Sequence, residues 1–242
     1  MRTSAEFSGV MRWSATDRSM PESAPSPDRP LRRDAERNRR RILEAASVVF
    51  AERGLRGSHD DIARAAGVGV GTVYRRFPDK EQLIDALFEA RVEEIAEIAR
   101  AAVADPDPWD ALVGFLIRSQ ELQNADRGLN EIVLGGARGA ARATAARSLI
   151  APLVARVLQR AKDAGVVRAD VELSDLPLIQ LAIGTVAEAS RDVAPDAWRR
   201  TMTLVLDGLR AASAAGELPA PALDPEQIDV VTMSYATPRR RA

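Results

Sequence analysis

The 242-residue chain has a net charge of −1, is 46% hydrophobic but only 4% aromatic, and contains one histidine and no cysteine. This composition favours an all-α protein, excludes disulfides and thiolate metal sites, and argues against a histidine-dependent catalytic triad. No apolar stretch reaches the roughly 20 residues of a membrane helix, so we expect a cytoplasmic protein with no membrane partner. We also expect no cofactor and, with one histidine and no cysteine, no metal.

Charge is distributed unevenly along the chain. Residues 29–80 hold 13 Lys or Arg against 7 Asp or Glu, which gives this segment a net charge of +6 and leaves −7 for the remainder. A basic segment attached to an acidic body indicates a polyanionic partner for the basic segment alone.

The first 33 residues include the run MPESAPSPDRP and show no sustained periodicity, which predicts a disordered N-terminal arm. Translation from Met11 or Met20 is the alternative, in which case part of this arm would not be translated. A first helix is predicted from about Arg37 to Arg53 and is closed by Gly54. Its apolar residues form one helical stripe: Ile42, Ala45, Ala46, Val49 and Phe50.

The next two predicted helices form a helix-turn-helix over about residues 58–77. Ser58 and Asp61 make a variant of the capping box at the start of the second helix, and Gly67 ends that helix. The third helix, residues 70–76, is short enough to enter a major groove.

The outward side of the third helix is the predicted DNA-binding surface. Val73 and Phe77 face the core, which leaves Tyr74 to donate to a phosphate and Arg75 to reach a phosphate or a guanine. Lys80, at the positive start of the next helix, is expected to bind phosphate. We expect His59 to be an exposed residue or a phosphate contact. The predicted DNA contacts are Ser58, His59, Val70, Gly71, Thr72, Tyr74, Arg75, Arg76 and Lys80.

The run ILEAASVVFAERGLRGSHDDIARAAGVGVGTVYRRFPDKEQLIDAL resembles the N-terminal domain of the TetR family of bacterial transcriptional regulators. The resemblance covers about residues 36–95, and its motifs occur in order: ILEAA, F-x-x-x-G, DIA, AGV and GT-V-Y-x-x-F-x-x-K. It implies a helical homodimer that binds a palindromic operator and is released by a small ligand in its C-terminal domain. By that resemblance Thr72, Tyr74 and Lys80 contact the DNA backbone, while Val70, Gly71 and Arg75 meet bases or adjacent phosphates.

Three positions depart from the family pattern. Gly69 stands where serine is frequent, Val70 where a polar residue is common, and Arg76 where an aromatic residue or histidine is frequent. We therefore expect sparse base readout, with contact between Val70 and a thymine methyl group and more weight on DNA shape.

A fourth helix, capped by Asp79, is predicted to about Val103, and DPDP at 105–108 breaks the chain. Helical patterns follow at 109–125, 129–138, 141–164, 173–190 and 196–214. We thus predict an all-α chain with a three-helix DNA-binding head, a helical ligand-binding and dimerisation domain over 104–214, and a tail over 215–242.

The last two predicted helices of the body are apolar on more than one face, so each must be buried on two sides. In the TetR family such helices commonly form a four-helix dimer interface, and burial within one protomer is the alternative. The predicted seam consists of Leu178, Leu181, Ile183, Val186, Val205, Leu206 and Leu209.

A second stripe, on the helix after DPDP, predicts a ligand pocket, because it begins apolar and ends in two amides. The alternative is a core stripe whose last turn emerges into water. Phe88 is the predicted link between this pocket and the head. The other pocket residues are Trp109, Leu112, Val113, Leu116, Gln120 and Gln123, and the expected effector is an uncharged or weakly polar organic molecule.

Three classes of function compete for this sequence. The favoured class is a ligand-responsive repressor that binds operator DNA as a homodimer. The first alternative is a constitutive dimeric DNA-binding regulator whose body only dimerises. The second is an all-helical enzyme, against which stand the single histidine, the missing cysteine and the lack of a clustered carboxylate motif.

Overall fold

The computed structural model describes residues 28–125, 139–214 and 216–236, and these residues form nine α-helices. In chain order the helices are α1 (Asp28–Arg53), α2 (His59–Ala66), α3 (Val70–Arg76), α4 (Lys80–Ala104), α5 (Pro108–Ala125), α6 (Gly139–Asp163), α7 (Asp175–Ser190), α8 (Ala197–Leu209) and α9 (Pro225–Ala236). The all-α prediction is confirmed. The predicted helix at 129–138 lies outside the described residues, as do residues 1–27 and 237–242.

The first core lies among α1, α2, α3 and the start of α4. The stripe predicted on α1 is buried here, and Val73 and Phe77 join it from the third helix, as the sequence indicated. Burying these side chains stabilises the fold by about 25 cal/mol for each Å² of apolar surface removed from water. The largest members of this head core are Ile42, Phe50, Ile62, Val73, Phe77, Leu83, Ile84 and Leu87.

The second core lies among α5, α6, α7, α8 and the C-terminal half of α4. On α4 the buried residues of this half are mainly alanines, which let α5 and α6 approach its backbone closely. Because α4 contributes to both cores, it is the continuous element between the head and the body. Prominent members of the body core are Leu112, Phe115, Leu116, Val157, Ile183, Trp198, Met202 and Leu206.

A charged contact joins the start of α4 to the start of α6. Arg142 is only 6% exposed, and its guanidinium donates to Asp85 Oδ1 at 2.7 and 2.9 Å and to Glu81 Oε2 at 3.0 Å. A buried arginine keeps its charge, so it requires partners of this kind. The contact fixes the head end of α4 against the body.

Two predicted boundaries are wrong. α1 begins at Asp28 rather than near Arg37, so the arm predicted for residues 1–33 is helical over 28–33. Pro30 lies in the first turn, where proline is tolerated, and the Arg, Glu and Ala residues that follow favour helix.

The predicted C-terminal tail contains α9. Its Ile228 is buried, and its Asp229 pairs with Arg147 of α6. The start of α9 has a signal that the sequence interpretation passed over: Asp224 Oδ1 accepts from the Gln227 backbone at 2.8 Å, and Gln227 Oε1 accepts from the Asp224 backbone at 3.0 Å. This is the reciprocal pattern of a capping box.

None of the helices in the described ranges is both long enough and apolar enough to cross a membrane.

Candidate nucleic-acid interface and polar cluster of the body

The turn between α2 and α3 is built from local hydrogen bonds. Ser58 and Asp61 form the predicted capping box, in which Asp61 N donates to Ser58 Oγ at 3.1 Å and Ser58 N donates to Asp61 Oδ2 at 3.1 Å. Gly67 ends α2 in the left-handed region, with φ of 62°, and the Val68 N–H donates to Ala63 O at 3.0 Å. A left-handed residue favours glycine, which explains this position.

Two charged neighbours brace the capping box. Arg53 Nη1 lies 2.8 Å and Arg64 Nη1 3.2 Å from Asp61 Oδ1. The hydrogen bonds from Ser58, helped by the charge of Arg53, lower the pKa of Asp61 to about 2. Asp61 is therefore ionised at neutral pH and holds the start of α2 against the end of α1.

The outward face of α3 is open and basic. Val70 is 43% exposed and Tyr74 50% exposed, and Arg75 and Arg76 are exposed at the end of the helix. A Cβ at Gly71 would meet no heavy atom within 4 Å, so packing does not require a glycine there. The missing side chain instead leaves room for a binding partner to come close to the backbone of α3. Thr72, half-buried, donates its N–H to Gly69 O at 2.8 Å.

His59 is buried, which corrects the prediction of an exposed residue. Its Nε2 lies 3.0 Å from Phe77 O, and its ring stacks on Tyr74 with centroids 4.6 Å apart. Because Phe77 O can only accept, this bond requires the hydrogen to be on Nε2. His59 thus joins the start of α2 to the end of α3 and supports the ring of Tyr74 from behind.

Lys80 lies at the start of α4, next to the N-cap Asp79. Its Nζ donates to Leu55 O at 2.7 Å, so the lysine is tied to the turn that precedes α2. Asp79 caps α4 as predicted, accepting from the Gln82 backbone at 2.8 Å. Tyr74 and Lys80 therefore lie on opposite sides of the α3–α4 turn. His59 holds the ring of Tyr74, and Leu55 O holds the ammonium group of Lys80.

The stripe predicted as a ligand pocket divides into separate parts. Leu112 and Leu116 are fully buried in the body core, and Val113 packs against it. Trp109 also packs against that core, and the Arg210 guanidinium lies 3.9 Å from its ring centroid. Phe88 packs against the head core instead, so the structure does not bring it together with the rest of the stripe.

Trp109 and the amides are well separated along α5. At 1.5 Å per residue, the Cα atoms of Trp109 and Gln120 are about 16 Å apart along the helix axis. A single pocket formed by the whole stripe is therefore not observed, and the apolar part is a core stripe. Gln120, however, is 1% exposed, so the last turn does not emerge into water at this residue as the alternative expected.

A polar cluster surrounds the last two turns of α5 and a glutamine of α7. Gln180 Nε2 donates to Ser119 Oγ, and Gln123 Nε2 donates to Gln180 Oε1 at 3.2 Å. Gln120 Nε2 donates to Asn124 Oδ1 at 2.8 Å. Gln120 Oε1 and Asn124 Nδ2 are buried and have no hydrogen-bond partner among the described residues. Each such atom costs about 1–3 kcal/mol.

The sequence interpretation missed three members of this cluster: Ser119, Asn124 and Gln180. Two of them had a signal in the sequence. Asn124 follows Gln120 by four residues, which places both on one helical face. Gln180 is a lone amide inside the apolar run LPLIQLAIG, where a polar group must find a partner.

The predicted dimer seam also needs correction. Ile183, Leu206 and Leu209 belong to the core of the protomer, so their side chains offer no surface to a second chain. Val186 and Val205 are half-buried against the same core. Only Leu178 and Leu181 are half-buried outside it. Leu204 on α8, which was not predicted, is 64% exposed.

Comparisons with known proteins agree with this arrangement. Residues 42–87 match the profile described as "Bacterial regulatory proteins, tetR family", and residues 107–211 match "Transcriptional regulator SbtR-like, C-terminal domain". A TetR transcription regulatory protein from Mycobacterium vanbaalenii is 37% identical, with a TM-score of 0.60, over 75% of this chain and 99% of that protein. A TetR regulator from Streptomyces coelicolor is 32% identical, with a TM-score of 0.58, over 71% and 98%.

One curated relative is named as a repressor. The HTH-type transcriptional repressor LfrR of Mycolicibacterium smegmatis is 39% identical over 89 residues. The match covers 35% of this chain and 44% of that repressor, so the chain spans less than half the length of this relative.

Proposed function

The chain belongs to the TetR family of bacterial transcriptional regulators, and from that premise we propose that it is a ligand-responsive repressor that binds a palindromic operator as a homodimer. The observation that carries the proposal is the exposed face of α3. It combines a flat N-terminal end at Gly71 with Tyr74 and two exposed arginines at its C-terminal end. A short helix of this shape and charge suits the major groove.

In the proposed docking, α3 lies in the groove and its flanks hold the backbone. Val70 contacts a thymine methyl group, and Arg75 reaches a guanine edge or the adjacent phosphate. Tyr74 and Lys80 donate to phosphates on either side. Thr72 donates its hydroxyl hydrogen to the same strands, whereas the one hydroxyl hydrogen of Ser58 is already donated to Asp61 Oδ2 at 2.7 Å.

Dimerisation is supported by apolar side chains of α7 and α8 that lie outside the protomer core. They are the half-buried Leu178 and Leu181 and the exposed Leu204. A single helix-turn-helix reads one half-site, whereas a two-fold dimer reads two half-sites separated by about one helical turn or a multiple of it. Two-fold symmetry of the protein therefore requires an inverted repeat in the operator.

Ligand response is supported by the buried amides of the body and by the continuity of α4. A ligand releases DNA only if it prefers a conformation that binds DNA poorly. α4 extends from the head core to the body core, and Arg142 fixes its first turns to α6. A rearrangement around the end of α5 can reach the head along this route.

Selection from a random library of DNA duplexes tests the proposal. We expect the protein to enrich an inverted repeat. The double variant Arg75→Ala/Arg76→Ala should enrich no motif, because it removes both exposed cations of α3. The control Arg118→Ala/Arg156→Ala removes the same charge from exposed positions on the body and should enrich the same repeat. Enrichment of a site without two-fold symmetry, or no enrichment by the parent, would contradict the proposal.

A further inference from the structure

The end of α5 presents two amides whose hydrogen-bonding capacity is only half used. Gln120 and Asn124 lie four residues apart and bond to each other through Nε2 and Oδ1 at 2.8 Å. This leaves the acceptor Gln120 Oε1 and the donor Asn124 Nδ2, both buried and both without a partner in the described part of the chain. Gln120 is 1% exposed, so bulk water does not compensate for the missing bonds.

This result does not depend on how the two amides are oriented. Turning one amide alone would place two oxygens or two NH₂ groups against each other, which removes the existing bond. Turning both restores the bond and exchanges which residue offers the donor and which the acceptor. The pair therefore always presents one donor and one acceptor.

Within the described ranges, the neighbouring polar groups do not bond to Gln120 Oε1 or Asn124 Nδ2. Gln180 directs its NH₂ group to Ser119 Oγ and Leu116 O, and its oxygen accepts from Gln123. On α7 the residue beside the Gln120 amide is Gly184, whose Cβ, if it had one, would lie 3.5 Å from Gln120 Nε2. No side chain therefore projects from position 184 towards the amide.

The chemistry of a complementary group follows from these two atoms. A carboxylate or phosphate oxygen can only accept, so it would satisfy the donor and repel Gln120 Oε1 or its equivalent. An ammonium group can only donate. A hydroxyl group or a primary amide does both, and it is neutral. Neutrality suits apolar surroundings, since Leu116, four residues before Gln120 on α5, and Ile183, next to Gly184 on α7, are both buried in the body core.

We propose that Gln120 and Asn124 bind a neutral hydroxyl or primary amide group at the end of an apolar molecule, and that the effector of this regulator belongs to that chemical class. The inference rests on the proposed function, because it names the ligand to which the repressor responds. It differs from the predicted pocket in excluding Phe88 and Trp109 and in adding Asn124.

Isothermal titration of the full-length protein with four compounds of equal chain length tests this inference. The compounds are octanamide, 1-octanol, octanoate and octylammonium. We expect octanamide and 1-octanol to bind at least tenfold more tightly than either ion. In the double variant Gln120→Leu/Asn124→Leu this preference should disappear.

A stability measurement separates a binding role from a structural one. The double variant removes a half-satisfied buried pair and replaces it with apolar groups, so its melting temperature should equal or exceed that of the parent. The control Ser119→Ala removes a neighbouring buried group whose bonds are satisfied. It should lower the melting temperature and keep the tenfold preference.

Three outcomes would overturn the inference: octanoate binding as tightly as octanamide, an unchanged preference in the double variant, or no binding of any of the four compounds at millimolar concentration. The last would mean that the amides hold only buried water. Operator binding by the parent without any compound is measured separately. Its absence contradicts the proposed function, whereas operator binding without an amide preference contradicts this inference alone.

Discussion

At the scale of single residues, His59 decides how Tyr74 is presented to DNA. Its ring stacks on Tyr74 while its Nε2 donates to Phe77 O, so one side chain fixes both the backbone and the aromatic group of α3. The sequence identified this histidine as a member of the head but not its buried position. A residue in the first turn of an eight-residue helix can face either way, and only the packing of α3 across α2 decides between them.

We expect His59→Leu to lower the free energy of unfolding by about 1–3 kcal/mol, because Phe77 O loses its donor. Operator affinity should fall as well, since Tyr74 loses its stacking partner. His59→Phe keeps a ring against Tyr74 and loses only the hydrogen bond, so it should retain more operator affinity than the leucine variant at similar stability. Urea unfolding and operator titration measure the two effects. Equal operator affinity of both variants would show that stacking has no role.

Asp61 makes the stability of the head sensitive to acid. Its pKa is lowered from 3.8 to about 2 by hydrogen bonds from Ser58 and by the charge of Arg53. A lowered pKa contributes stability above the unfolded value, and this contribution is lost as the pH falls towards 2. Asp61→Asn should therefore be less stable than the parent at pH 5 and above, and the two should converge near pH 2. Denaturant unfolding between pH 5 and 2 tests this, and parallel stability curves would contradict it.

At the scale of elements, local signals predicted the head better than the C-terminal end. The bounds predicted for α3 agree with the structure because Gly67 and Asp79 mark the flanking helices with strong caps. α9 was missed, although Asp224 and Gln227 form a capping box, because the helix has only a weak apolar stripe. Its formation depends on burying Ile228 in a tertiary contact, which no window of the sequence contains.

The contact between α4 and α6 could not be predicted either, since it joins Arg142 to Asp85 across 57 residues. We expect Arg142→Met to lower the free energy of unfolding by about 2 kcal/mol, between the ~1 kcal/mol of an exposed pair and the 3–5 kcal/mol of a buried one. Arg100→Met breaks an exposed pair on the same α4 and should cost about 0.5 kcal/mol or less. Urea midpoints compare the two, and equal losses would contradict a special role for Arg142.

At the scale of the whole molecule, helical spacing predicted which residues share one face of a helix, but it could not predict which other elements pack against that face. Trp109, Leu116 and Gln120 do share one side of α5, as the spacing indicated. Their surroundings differ because α5 passes Arg210 at one end and Gly184 of α7 at the other. The same limit affected the predicted dimer seam. When a helix is apolar on two sides, its sequence does not tell which apolar residues face the protomer core and which face outward.

That division leads to the last prediction, which concerns the dimer. If Leu178, Leu181 and Leu204 form the seam, Leu181→Arg places an unpaired charge in it and should yield folded monomers in sedimentation experiments at micromolar concentration. Operator affinity should then fall about a hundredfold or more. Each monomer binds one half-site alone, and no joined subunit is held near the second half-site at high effective concentration. Leu149→Arg, at a partly exposed position on α6, should stay dimeric. Leu206→Arg should instead unfold the protein, since Leu206 lies in the protomer core. A monomeric parent, or a Leu181→Arg variant that remains dimeric, would rule out this seam.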